Sequence, residues 1–117
     1  MKETELKERT KKFALRALKL VAALPRTMEG GAIGRQLVRS GTAVGANYRA
    51  ACRGRSKAEF ISKLGTVEEE ADESAYWMEL IIDAGLLKAK RVTALYQEAN
   101  ELTAIMVASR ISARARC

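Results

Sequence analysis

The chain has 117 residues, 48% of them hydrophobic but only 5% aromatic, with one proline, two cysteines and no histidine. Without histidine there is no Ser-His-Asp or Cys-His pair and no Glu-x-x-His di-iron motif, and two cysteines 65 positions apart cannot form a structural zinc site. The formal net charge is +7, but it is unevenly placed: residues 1–57 hold 14 Lys/Arg and 4 Asp/Glu, residues 58–87 hold 1 and 8, and residues 88–117 hold 6 and 2.

The length suggests one domain, residues 1–117, and the abundance of Ala, Leu, Glu, Lys and Arg suggests an all-helical one. The first helix is predicted over about 3–24. Leu6, Thr10, Phe13, Ala17, Leu20 and Leu24 alternate in steps of four and three, which is a bundle seam. Lys12, Arg16 and Lys19 form a basic stripe beside it. Pro25 lacks an amide proton and biases Leu24 away from helix, so the helix is expected to stop there.

Arg26 to Gly31 reads as a loop, with Gly30-Gly31 breaking helical order. The second helix is predicted over 32–53. At about 100° per residue, Arg35, Arg39, Arg49 and Arg53 fall within a sector of roughly 80°, while Ile33, Leu37, Val44 and Tyr48 lie opposite. Gly34, Gly41, Gly45 and Cys52 share one flank. Each glycine costs a helix about 1 kcal/mol relative to alanine, so three aligned glycines suggest that another backbone comes close.

Gly54 ends this helix, and Ser56-Lys57-Ala58-Glu59 reads as a capping box that starts the third at Lys57. Phe60, Leu64, Val67, Ala71, Ser74, Met78 and Ile81 continue the alternation to about residue 84. Gly85 then fits a left-handed stop, with Leu86 as its hydrophobic follower. Residues 75–82 are apolar almost all round, Glu79 excepted. A helix of that kind needs cover on most sides, which predicts self-association with Tyr76 or Trp77 near a subunit interface. The fourth helix is predicted over 89–111, with Val92, Leu95, Ala99, Leu102, Met106 and Ser109 inward and a frayed basic tail beyond. Four helices with short connections give an antiparallel up-down-up-down four-helix bundle.

No secretory signal is expected, because residues 1–12 are charged throughout, and no apolar run approaches the ~20 residues of a membrane span. A reducing cytoplasm is the expected setting, with Cys52 a buried thiol and Cys117 mobile. No nucleotide-binding loop is present, and no cofactor is called for. The acidic run from Glu68 to Glu73 is read as a solvated or salt-bridged face rather than a metal site, since consecutive helical residues point in different directions.

The arginine stripe admits two readings. In one, Arg35, Arg39, Arg49 and Arg53 grip phosphates, with Lys12, Arg16 and Lys19 as a second patch. Recognition would then be of backbone and shape and strongly salt-dependent. In the other, the arginines pair with Glu68 to Glu73 and the molecule is a protein-interaction scaffold.

Asn47-Tyr48-Arg49, Arg55-Ser56-Lys57-Ala58-Glu59-Phe60-Ile61, Glu73 and Asp83-Ala84-Gly85 carry a resemblance. They resemble the small bacterial four-helix-bundle proteins encoded in intervening sequences of large-subunit ribosomal RNA genes. The accessory variability protein of diversity-generating retroelements is similar in kind. The resemblance implies a homopentamer with no known enzymatic activity. From the retroelement relatives it also implies a basic surface for nucleic acid and a reverse transcriptase. Many relatives have Ile-Ala-Glu-Gly after the asparagine, where this chain has Tyr48-Arg49-Ala50-Ala51.

Overall fold

The alternation of four and three along the first helix becomes a buried stripe. In the computed structural model, which describes residues 1–116, α1 runs Glu3–Ala22 and buries Leu6, Thr10, Phe13, Ala17 and Leu20. Thr10 is wholly buried. Its hydroxyl donates to the Leu6 carbonyl at 2.8 Å, so the one polar side chain in the stripe is satisfied within its own helix. Cys117, expected to be mobile, lies outside the described residues.

The second helix, α2, spans Met28–Cys52 and so begins four residues before the expected start. Thr27 accepts the Gly30 amide proton at 3.1 Å and caps the helix, a role open to threonine that the glycine pair obscured. Gly30 and Gly31 therefore lie inside the first turns of α2. A Cβ at Gly30 would come within 2.2 Å of the Pro25 carbonyl oxygen. The missing side chain lets the chain double back straight after the proline and enter the helix.

The glycine flank of α2 packs on α1. A Cβ at Gly41 would lie 2.9 Å from the Ala17 Cβ, one at Gly45 3.4 Å from the Thr10 backbone, and one at Gly34 3.1 Å from Val21. This close approach is what the aligned glycines suggested.

The third helix, α3, spans Lys57–Asp83. Ser56 accepts the Glu59 amide proton at 3.1 Å. Glu59 reaches back to the Arg55 amide at 3.3 Å, one residue beyond the expected reciprocal partner, the Ser56 amide. At the far end Gly85 has φ 69°. The Leu86 amide donates to Ile81 and the Gly85 amide to Ile82, each at 3.0 Å, which is the left-handed stop with its paired carbonyls. A short 3₁₀ turn at Ala89–Arg91 precedes α4, Thr93–Ala115, so the fourth helix starts and ends about four residues later than expected.

Four helices and no strand make up the described residues, within an envelope of 50 × 20 × 19 Å. Each helix packs on its neighbours in sequence, and α1 also meets α4 along a narrower seam. Phe13, Leu37, Leu64, Met78, Ile81, Leu102 and Met106 fill the centre. Between α2 and α3 the core contains a polar pair: the wholly buried Ser40 and Ser74 hydroxyls lie 2.8 Å apart. The Ser74 hydroxyl also lies 2.9 Å from the Glu70 carbonyl. One proton cannot serve both, so Ser74 donates to the carbonyl and accepts from Ser40.

Candidate nucleic-acid interface

Packing on both sides of α2 divides the arginine stripe. Arg39 leans toward α3. Its guanidinium contacts Glu70 at 3.2 Å and is ion-paired with Glu73, whose carboxylate also accepts the Trp77 indole N–H at 2.9 Å. The expectation of four outward-facing, unpaired guanidiniums is corrected at this position, because Arg39 sits on the α3 flank of its helix within reach of two carboxylates.

Arg35, Arg49 and Arg53 are exposed, and among the described residues none of them takes part in an ion pair. Arg49 leans toward α1, where it lines a shallow groove with Lys7, Lys11, Thr42 and Ala46. Glu8 is the one carboxylate there. Lys7 is partly neutralised by Glu3, 3.4 Å away. Arg35 borders a second depression between the end of α1 and the start of α2, together with Arg26, Gly31 and Val38. From Arg35 to Arg53 the axis advances by about 27 Å, the length of roughly eight phosphates along one strand of a duplex.

Lys12, Arg16 and Lys19 are exposed on the outer side of α1, and none of them lines either depression. The structure therefore brings Arg49 together with Lys7 and Lys11, which sequence reasoning left unassigned, and not with Lys12, Arg16 and Lys19. Spacing along α1 alone could not reveal which lysines α2 would approach.

The acidic run divides by direction, as helical geometry requires. Glu68 pairs with Arg110 of α4, whose Nε donates at 3.0 Å, and Glu70 and Glu73 hold Arg39. The reading of this run as a salt-bridged face thus applies to three of its members. Among the described residues no three His, Cys, Asp or Glu side chains converge on a point where a metal ion could sit.

A further ion cluster had no signal in the sequence. Arg9 of α1 grips Glu98 of α4 with two contacts of 2.7 Å and also reaches Glu101 at 2.9 Å. The Glu98 carboxylate pushes the Arg9 guanidinium above the usual arginine range, so its charge is permanent. Cys52 is half-buried. Burial pushes its thiol up from 9.0, which disfavours the reactive thiolate. Burial likewise raises the phenol of Tyr48. Tyr76 is 52% exposed and meets Trp77 edge-on with ring centres 5.1 Å apart, while Trp77 is half-buried against the core. Among the described residues no helix is long and apolar enough to cross a membrane.

Comparison with known proteins agrees with this architecture. A crystal structure of a protein of unknown function from the S23 ribosomal protein family of Bacteroides thetaiotaomicron VPI-5482 superposes with a TM-score of 0.86. It shares 30% sequence identity, and the match covers 94% of this chain and 98% of that one. No curated protein matches. The family model for 23S rRNA-intervening sequence proteins matches residues 2–108, and the chain belongs to that family.

Proposed function

We propose that this protein is a non-enzymatic, cytoplasmic bundle that binds nucleic-acid backbones through Arg35, Arg49 and Arg53, aided by Lys7 and Lys11. Its helices run up-down-up-down, and copies assemble as a homopentamer, so that weak contacts repeat around a ring. The observation that carries the reading is the row of three guanidiniums without carboxylate partners among the described residues. Arginine's planar fork suits phosphate oxygens, and the scarcity of aromatic residues nearby favours backbone contact over base stacking. The family description names 23S rRNA, which makes ribosomal RNA the first nucleic acid to try. A reverse transcriptase is the protein partner that the retroelement resemblance implies.

The test is fluorescence anisotropy with labelled single-stranded and duplex RNA over a salt series. The variant R35Q/R49Q/R53Q is expected to lose at least tenfold in affinity and to flatten the log–log salt slope by about 2 to 3. R39Q, which breaks a contact within the molecule, is expected to leave affinity nearly unchanged. Equal binding by the triple variant and wild type would refute the assignment. A scaffold without nucleic acid is the alternative, supported by the exposed Tyr76. A protein partner retained after nuclease treatment would favour it.

A further inference from the structure

Two outer faces of the molecule complement one another, and among the described residues no ion pair within the chain uses their charges. On α3, Glu69, Asp72, Tyr76, Glu79 and Asp83 recur in steps of three and four and are all exposed. Among the described residues none of these four carboxylates has an ion-pair partner, unlike Glu68, Glu70 and Glu73 on the flanks of the same helix. Tyr76 stands in the middle of the stripe. On α1, Leu15 and Leu18 are 57% and 42% exposed, and Lys12 and Lys19 flank them, again unpaired among the described residues.

The spacings also agree. Asp72 and Glu79 are seven residues apart with Tyr76 between them, and Lys12 and Lys19 are seven apart with Leu15 between them, about 10.5 Å along each axis. We infer that the α3 stripe of one copy docks on the α1 face of the next, with Tyr76 against Leu15 and Leu18, and Asp72 and Glu79 against Lys12 and Lys19. An apolar centre ringed by charges of opposite sign is the usual anatomy of such a surface. The two faces differ, so the contact is heterologous and builds a ring when the rotation closes.

This inference rests on the self-association in the reading above and gives it named faces. It assigns Lys12 and Lys19 to a neighbouring protein rather than to phosphates. It also brings Tyr76, but not Trp77, to the centre of the contact, because Trp77 turns back toward Glu73 and the core.

Charge reversal tests it by sedimentation velocity at tens of micromolar, with circular dichroism confirming that each variant is helical. D72K/E79K and K12E/K19E alone are each expected to sediment as a 12.8 kDa monomer. Mixed in equal amounts, they are expected to form alternating complexes larger than the monomer, because each reversed face then meets its complement, while a ring of five cannot close without one mismatched contact. If wild type assembles but both variants assemble equally well, or if mixing restores nothing, these faces are not the interface, although self-association stands. A monomeric wild type overturns both. The comparison of R35Q/R49Q/R53Q with wild type in the same assembly state tests the RNA reading separately.

Discussion

The contact between Gly41 and Ala17 allows a quantitative test of the α1–α2 interface. In an open helix interior Gly→Ala gains about 0.8–1.0 kcal/mol. At Gly41 the new Cβ would lie 2.9 Å from the Ala17 Cβ, against the roughly 3.5–4.0 Å that two carbons prefer. The helices must then part by most of an ångström, and overpacking of that kind costs roughly 1–3 kcal/mol. G41A is therefore expected to lose about 1 kcal/mol net. A17G is expected to lose about 2 kcal/mol, from helix propensity and one buried methyl group.

The double variant moves that methyl from one side of the gap to the other and should lie within about 0.5 kcal/mol of wild type. The implied coupling is about 3 kcal/mol, at the upper end for residues in direct contact. G65A is the control: its Cβ would meet only the Arg110 Cδ, at an ordinary 3.8 Å, and it should gain up to about 1 kcal/mol. Urea unfolding followed by circular dichroism, at one protein concentration because assembly shifts the midpoint, reads all four variants. G41A stabilising as much as G65A, or a double variant equal to the sum of its singles, would refute a tight Gly41–Ala17 contact.

R9A removes the two-pronged grip on Glu98 and leaves that carboxylate, only 15% exposed, without its partner, so a loss of roughly 2 kcal/mol is expected in the same assay. S74A leaves the buried Ser40 hydroxyl without its acceptor and should cost about 1 kcal/mol, with S40A/S74A costing less than twice that. Glu3 is held below its ordinary value of 4.5 by Cys52 and Lys7, and Glu29 by Thr27 and its own backbone amide. A depressed carboxyl stabilises the fold above its unfolded value and loses that contribution as pH falls through the folded one. Thermal midpoints should therefore drop from pH 5 downward, and less steeply in E3Q/E29Q. The raised Cys52 thiol has the opposite sign: stability falls as pH rises past 9.0, and in C117S alkylation by iodoacetamide at pH 9 should be slower folded than unfolded.

Periodicity made the seams legible. Every inward residue expected on α1 is buried, as are most on α3 and α4; Phe60 and Ser109 are partly covered, and Ala113 adds a further turn inside. The start of α2 lies earlier than the glycine pair suggests because Thr27 caps the helix, and the role of Gly30 depends on a carbonyl across the turn at Pro25. The candidate site was legible only as a face. Which arginine would find a carboxylate depended on how α2 rotates between its neighbours, and residues 31 and 34 positions apart give no local sign of meeting. The Arg9–Glu98 grip, 89 positions apart, was out of reach for the same reason.

The single tryptophan stands at an informative junction. Its indole hydrogen bonds to the carboxylate that also holds Arg39, and its ring touches Tyr76. Intrinsic fluorescence therefore supplies a label-free gauge inside the molecule. Emission should respond to dilution if a neighbour covers the tyrosine, and to loosening of the second helix against the third. One optical signal thus reports both on cover of the outer tyrosine and on the packing beneath it.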